Sequence, residues 1–375
     1  MKIVFSTDQT YLHGGIEKVL TEKANFLSNQ KDYEVYIITT EQKGNKSCYK
    51  LNSNVKCLDL QINYNRKLSY YHPKNLIKAF LHFRKQIKII KEIKPSIIIS
   101  SNYAPDFYWL PFIFRNVPKW KEYHASRYFE VLNFKKTKSQ LFKIKFQFEN
   151  WIALKYHKIV VLNEDEKKIH AKNNVIVIPN PINSLSFTPK TELNSKRVIA
   201  AGRIAPVKGF EKLILAWENV SKIYPDWELH IYGEDYNNTK SSLEKLIQEK
   251  KLQDYIMFKG TTQNMTQTML DYSIFAMSSQ TECFPMVLLE ALSVGLPIVS
   301  FNCETGPRNI FEHQKEGLLV KNQNIEEFSH ALGILMSNTE LLKEMGENAK
   351  KTSFKFDLEI VMKKWVNEIE NSIKK

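Results

Sequence analysis

Short β-branched runs alternate with longer amphipathic stretches along nearly the whole chain, and this constrains the fold more than any single residue does. In the first half, residues 3–6, 35–39, 55–58, 97–101 and 159–162 read as strands, the last two apolar enough to be buried on both faces. Between them, residues 17–27, 76–93 and 141–156 repeat apolar side chains at helical spacing. Strands separated by helices make parallel βαβ units, which build a doubly wound sheet. The second half repeats the pattern, with strands expected at 198–201, 228–232, 256–258, 274–277, 298–300 and 318–320. A chain of 375 residues has the length for two such domains, each with its own core. Their join is expected after residue 180, because the prolines of Ile178-Pro-Asn-Pro-Ile182 and the polar stretch up to Asn194 continue neither strand nor helix.

Several function classes recede on composition. Cys48, Cys57, Cys283 and Cys303 have neither C-x-x-C nor Cys/His ligand spacing, so no zinc site or disulfide framework is expected. The opening Met-Lys-Ile-Val-Phe-Ser runs directly into a strand without a signal-peptide core, and no eighteen-residue apolar run follows. A cytoplasmic location is the expectation. Charge is divided unevenly. Residues 1–185 hold 31 Lys and Arg against 15 Asp and Glu, a balance of +16, while the remainder holds 23 against 25. An anionic partner is therefore expected for the first half alone, nucleic acid and an anionic membrane surface being the two candidates.

The chemistry concentrates in Ser278-Ser-Gln-Thr-Glu-Cys-Phe-Pro-Met-Val-Leu-Leu-Glu-Ala291. Pro285 suits the first turn of a helix, so residues 285–294 are expected to be helical, with Glu282 on the preceding loop and Glu290 on the helix. The amides of Phe284, Met286 and Val287 would then face an anionic or hydroxyl-rich ligand. Gly295 suits the helix end. Ala201-Gly-Arg-Ile-Ala-Pro-Val-Lys-Gly209 joins a strand to a helix and presents Arg203 and Lys208 near a helix start, where Arg binds phosphate bidentately and Lys as a point charge. His13-Gly-Gly-Ile-Glu-Lys18 follows the first strand, and its paired Gly14 and Gly15 let a ligand approach backbone amides. His124 ends a short strand, in Lys121-Glu-Tyr-His-Ala-Ser126. Tyr232-Gly-Glu-Asp235 and Phe258-Lys-Gly260 end two others. The G-x-G-x-x-G fingerprint of dehydrogenases is missing.

The glutamate stretch resembles the E-x7-E motif of retaining glycosyltransferases with the GT-B fold, in particular family 4. Gly-Gly-Ile-Glu-Lys18 resembles that family's G-G-x-E-R, Gly202-Arg-Ile-Ala-Pro-Val-Lys-Gly209 its G-R-x(4)-K-G, and Ile178-Pro-Asn-Pro-Ile182 the segment ending its first domain. The resemblance implies an α/β protein of two Rossmann-like doubly wound domains facing across a cleft: an acceptor domain over 1–180, a linker over 181–194, and a nucleotide-sugar domain over 195–355. A last helix, 356–375, would cross back onto the first domain.

The same resemblance implies site roles. His124, Arg203, Lys208 and Glu282 would be the catalytic group, His124 touching the donor sugar, the two cations the diphosphate, and Glu282 the sugar hydroxyls. Glu290 would accept both ribose hydroxyls. Gly14, Gly15, Gly202, Gly233, Gly260, Phe284, Pro285, Met286 and Val287 would line the rest of the donor site. No metal or other cofactor is expected. The implied activity is hexosyl transfer, from a UDP-sugar by preference over GDP, to a lipid-linked or polysaccharide acceptor in exopolysaccharide, capsule or lipopolysaccharide synthesis. The lysine- and aromatic-rich residues 134–151, read as a membrane-surface helix, would hold the enzyme on the inner face of the plasma membrane. Two alternatives stand beside it: a GT-B nucleotide-sugar epimerase, and a non-catalytic basic protein binding nucleic acid or membrane. The second half's motifs favour the transferase, and nucleic acid is not expected as a partner because the exposed-aromatic signature of RNA modules is missing.

Overall fold

The computed structural model describes residues 1–101, 104–170, 172–183 and 190–374. Two compact units emerge: residues 1–181 with 359–375, and residues 182–358. In the first unit the chain runs β1 (Lys2–Thr7), α1 (Gly15–Ser28), β2 (Glu34–Thr39), β3 (Lys56–Asp59), α2 (Pro73–Ile93), β4 (Ile97–Ser100), β5 (Lys119–Glu122), α3 (Tyr128–Lys136), α4 (Gln140–Ala153), β6 (Lys158–Val161), α5 (Glu164–His170) and β7 (Val175–Val177). Its sheet has the order β3-β2-β1-β4-β5-β6-β7, with every pairing parallel. Val4, Ile38, Ile98, Ile159 and Val161 form one face of its core, as β-branched residues do in a sheet covered on both sides.

The second unit contains β8 (Arg197–Ala201), α6 (Phe210–Ile223), β9 (Glu228–Tyr232), α7 (Thr239–Glu249), β10 (Ile256–Gly260), α8 (Met265–Met269), β11 (Ile274–Met277), α9 (Met286–Ser293), β12 (Ile298–Phe301), β13 (Gly317–Val320), α10 (Ile325–Ser337) and α11 (Thr339–Ser353). The strand order β10-β9-β8-β11-β12-β13, all parallel, is that of a dinucleotide-binding sheet. Leu213, Ile214, Trp217 and Val220 put one stripe of α6 into the core, spaced one and two turns apart.

The last helix, α12 (Leu358–Ile373), packs within the first unit, where Trp365 meets Trp120 at 5.6 Å and the Tyr33 hydroxyl donates to Glu370 at 2.9 Å. Its buried stripe is Val361, Met362, Trp365 and Ile369.

Several elements differ from the sequence expectation. Pro285 is the N-cap of α9, with an extended ψ of 117°, so the helix begins one residue later and stops at Ser293. It ends in a Schellman pair, with the Leu296 amide donating to Ala291 and the Gly295 amide to Leu292. Residues 134–151 are not one helix: α3 ends at Lys136, and Ser139 caps a new start by accepting from the Phe142 amide at 3.3 Å. The strand before His124 stops at Glu122, two residues short of the histidine. Lys119 and Lys121 are fully buried in that strand, and burial pulls both ammonium groups down to about 8. Of the expected linker, residues 184–189 lie outside the described residues, while Thr191 is buried in the second unit, its hydroxyl donating to the Tyr272 carbonyl at 2.8 Å.

Candidate functional site

In the second unit the strand order reverses between β8 and β11, the place where open α/β sheets receive ligands at the carboxyl ends of their strands. The loops leaving these two strands are stitched together. The Gln280 amide donates to the Val207 carbonyl at 2.8 Å, and the Ser278 hydroxyl to the Lys208 carbonyl at 3.0 Å. The approach is close enough to require Gly209, whose φ is +64° and where a Cβ would stand 2.1 Å from the Ser278 carbonyl oxygen. This seam sets Lys208 against the glutamate loop, with Lys208 Nζ 2.6 Å from Glu282 Oε1. Both side chains keep some access to solvent, Lys208 at 24% and Glu282 at 12%.

Glu282 is held from behind as well. Thr305, at φ +63°, donates its hydroxyl to the Glu282 carbonyl at 3.0 Å. The Cys303 thiol is fully buried beside this carboxylate, and burial together with that negative charge pushes it up to about 12. Eight residues along, Glu290 is buried on α9, one turn past the helix start. The amides of Met286 and Val287 belong to the first turn of α9, which has no carbonyl partners within the helix. Phe284 contributes backbone only at this point, since its ring is buried against Phe356 at 5.6 Å.

The glycine-bearing strand ends converge on the same edge. The Gly202 amide donates to the Tyr232 carbonyl at 3.0 Å, and the Gly233 amide to the Gly260 carbonyl at 2.7 Å. At Gly233 a Cβ would come 1.9 Å from the Gly202 carbonyl oxygen, so the two strand ends touch backbone to backbone. Gly233→Ala is expected to destabilise the second unit by about 1–3 kcal/mol through the forced displacement of this backbone, read as a lowered denaturation midpoint in urea. An unchanged midpoint would mean that the loop yields without strain. Arg203 is exposed, and its guanidinium lies over the Tyr236 ring at 5.0 Å rather than on a carboxylate. Lys208, Glu282, Gly202 and Gly233 are thus gathered by backbone contacts, with Arg203 stacked at the rim.

The first unit carries the remaining candidates. Gly14 is the N-cap of α1 and Gly15 its first residue. Glu17 folds back over this turn: a Cβ on Gly14 would stand 2.1 Å from Glu17 Oε2, and Gln9 donates to the same carboxylate. Burial raises the Glu17 carboxyl, opposed by its own backbone amide, Gln9 and His124, and reinforced by Asp8. His124 Nε2 lies 3.3 Å from Glu122 Oε2. Glu122 in turn is fully buried, pairs with Lys23 and accepts from the Ser101 hydroxyl. Burial alone would raise the Glu122 carboxyl; Lys23 and His124 outweigh it and hold it well below the usual carboxylate range.

Glu122 and Lys23 have no counterpart among the residues singled out from the sequence. The available signal was only the nearness of Glu122 to His124 in sequence, because β5 ends at Glu122 and strand alternation does not reach the histidine. Cys303, Thr305 and Tyr236 carried no such signal; their roles depend on which loops meet.

Two family models divide the chain between them. Residues 13–184 match the model described as Glycosyltransferase Family 4, and residues 183–352 the one described as Glycosyl transferases group 1. An uncharacterized glycosyltransferase of Haemophilus influenzae is 28% identical over 361 residues, covering 94% of this chain and 95% of the relative. The amylovoran biosynthesis glycosyltransferase AmsD of Erwinia amylovora is 31% identical, over 57% of this chain and 62% of its own length. Among solved structures, a TarM variant of Staphylococcus aureus crystallised with UDP, fondaparinux and α-GlcNAc-glycerol superposes with a TM-score of 0.80 at 19% identity. That match covers 98% of this chain and 99% of the other. The likeness establishes the fold.

Proposed function

This chain belongs to the family 4 glycosyltransferases of GT-B fold, and from that premise we propose that it moves a hexose from a UDP-sugar, with retention at the anomeric carbon, to a lipid-linked or polysaccharide acceptor of a bacterial surface glycan. The observation that carries the reading is the Lys208–Glu282 pair at the switch point of the second sheet, 2.6 Å apart and still partly open to solvent. A cation and a carboxylate on the loops leaving two adjacent strands can divide a nucleotide sugar between them.

When the bond from the anomeric carbon to the diphosphate breaks, the electron pair leaves with the diphosphate, whose bridging oxygen gains charge. Lys208, Arg203 and the amides of Met286 and Val287 are assigned to that charge, which grows in the transition state and makes their stabilisation catalytic rather than merely binding. Drawn to the diphosphate, Lys208 leaves Glu282 to accept from sugar hydroxyls. Glu290 is assigned to the ribose hydroxyls, with Gly202, Gly233 and Gly260 giving the nucleotide backbone access. His124 is assigned to orienting the sugar, and Gly14 and Gly15 to the phosphate and acceptor side. Cations of the chain itself serve the diphosphate in this reading, so no metal is invoked. The relatives support a glycan acceptor: AmsD is named for amylovoran biosynthesis, and the TarM structure holds UDP and α-GlcNAc-glycerol. The basic first half is assigned to an anionic membrane surface on the cytoplasmic side.

Calorimetric titration of UDP, GDP, UDP-glucose, UDP-galactose and UDP-N-acetylglucosamine, in EDTA, tests the donor site. Micromolar binding of a uridine nucleotide is expected, weakened at least tenfold by both Arg203→Ala and Glu290→Ala, where about 1.4 kcal/mol is lost per tenfold. Binding of no nucleotide by the folded protein would overturn the transferase reading, and binding of GDP alone would overturn the choice of uridine.

A further inference from the structure

The first unit holds a cavity of about 400 Å3 that none of the assignments above uses. It lies where β4 and β5 end, walled by Ala104, Phe107, Tyr108, Trp109 and Tyr123, with Leu76 and Ala79 of α2 on the near side. Polar groups around it are largely engaged with one another. The Tyr71 and Tyr108 hydroxyls meet at 2.6 Å, Tyr108 donates to Glu149 at 2.6 Å, and Lys145 pairs with Glu149 at 3.4 Å. Arg127 pairs with Glu130 at 2.9 Å, and the Trp109 indole donates to Gln86 at 2.7 Å. What a ligand meets there is mainly aromatic and aliphatic surface, with the paired Arg127, Glu130, Lys145 and Glu149 also in the lining. A sugar needs hydrogen-bond partners in such a place, because a buried hydroxyl without one is costly. A hydrocarbon chain needs none.

The rim continues as exposed apolar surface on the two flanking helices. Alpha-helix α2 turns Leu76, Ile77, Phe80 and Leu81 outward, and α4 turns out Leu141, Ile144, Phe148 and Trp151, with Leu141 at 82% and Ile77 at 73% exposure. The spacing 141, 144, 148, 151 is one helical face. This face leads from the cavity wall: Phe148 stacks on Tyr108 at 6.2 Å, Trp151 on Phe148 at 5.9 Å, and Phe112 on Trp151 at 5.7 Å. Lone exposed apolar side chains need no explanation, but a joined tract marks an interaction surface. Charge says what covers it. Residues 73–94 carry seven Lys and Arg against one acidic residue, and residues 127–155 carry seven against two. Apolar side chains framed by a strong excess of cations match the interface of an anionic bilayer.

We infer that the exposed face of α2 and α4 docks on an anionic bilayer, and that the cavity beside it takes the hydrocarbon chain of an anionic lipid drawn from that bilayer. This deepens the membrane assignment above by naming its surface and a lipid site, and it does not depend on the donor site. The sources of such a chain are a bulk phospholipid and an isoprenoid carrier, which share the chemistry of an apolar chain on a phosphate.

The docking surface is tested by flotation with vesicles of phosphatidylglycerol and phosphatidylethanolamine. The wild-type chain should float with them and not with phosphatidylcholine alone. Ile144→Asp with Trp151→Asp, both at exposed positions, should lower the bound fraction at least tenfold, and raising salt should weaken wild-type binding steeply. The lipid site is tested with dodecyl phosphate and farnesyl phosphate, below their aggregation limits, followed through Trp fluorescence. Saturable binding is expected for at least one of them and not for inorganic phosphate. Ala79→Phe, which fills the cavity, should abolish it while leaving vesicle flotation intact. Preference for farnesyl phosphate would identify the isoprenoid source, and equal binding the bulk lipid. Failure of the wild-type chain to float with anionic vesicles overturns the docking surface. Chain binding that is absent or indifferent to Ala79→Phe overturns the lipid site. Nucleotide binding measured on the same preparation reports separately on the donor reading, so the two can fail independently.

Discussion

Lys208→Ala is expected to lower kcat by about 10²–10³-fold with the fold intact, the range seen when one preorganised donor to a developing negative charge is removed. The side chain is partly open to solvent and its backbone is fixed by the Gln280 and Ser278 hydrogen bonds, so truncation removes a charge without unlocking the loop seam. The effect should fall on kcat more than on KM, because the diphosphate carries more charge in the transition state than in the bound donor. Hydrolysis of the preferred UDP-sugar to UDP provides an assay that needs no acceptor. Glu282→Gln separates the two halves of the pair: it leaves Lys208 charged and should raise KM for the sugar-bearing donor while leaving UDP affinity nearly unchanged. Should Lys208→Ala keep kcat within about threefold, the assignment of Lys208 to the leaving group fails, whatever its effect on KM.

Lys23→Met is expected to cost about 3–5 kcal/mol at pH 7, since it leaves the buried Glu122 carboxylate without its cation. The pH dependence gives the cause a signature. In the wild-type chain Glu122 is held below its unfolded value, so its contribution is fully present above the unfolded carboxylate range and is lost progressively as pH falls from that range through the lowered folded value. In the variant, burial dominates and the carboxyl rises above its unfolded value. Its cost then grows as pH rises, so the deficit against wild type should shrink on going from pH 7 to pH 5. Urea denaturation at the two pH values measures this, and a deficit that stays constant would mean lost packing against Trp365 rather than lost charge, Lys23 Nζ lying 4.5 Å from that ring. Glu122→Gln in the Lys23→Met background should recover part of the stability and remove the pH dependence.

The elements that were legible in the sequence are those that announce themselves through apolar periodicity. Residues 228–232 and 274–277 are strands with the expected limits, because Glu-Leu-His-Ile-Tyr232 alternates polar and apolar and Ile-Phe-Ala-Met277 is an uninterrupted apolar run. A short strand was expected up to His124, but its limits, Lys119-Trp-Lys-Glu122, were not legible: three of these four side chains are ionisable, and only the fold supplies the partners that let them be buried. Residues 134–151 misled because lysines and rings persist through the break at Thr137 to Ser139, so composition gives no hint of two helices. At the site, Lys208 and Glu282 were legible as chemistry, from motifs 74 residues apart. Their mutual distance was not, since it depends on the Gly209 approach to Ser278. The Glu122 and Lys23 support of His124 is a tertiary fact, with 99 residues between the paired groups.

The buried lysines of β5 alter how the chain's proton inventory should be read. A formal charge of +14 credits every lysine equally, yet Lys119 and Lys121 are interior and pulled down to about 8. Between pH 7 and 9 they shed protons that exposed lysines still keep, so an electrophoretic titration of the native protein loses positive charge earlier than its sequence implies. The unfolded chain holds those protons longer, and stability contributed by this strand therefore rises with pH across the same interval. Alkaline conditions that weaken the attraction of the surface lysines for anions would, in the interior of the same unit, relieve a burden.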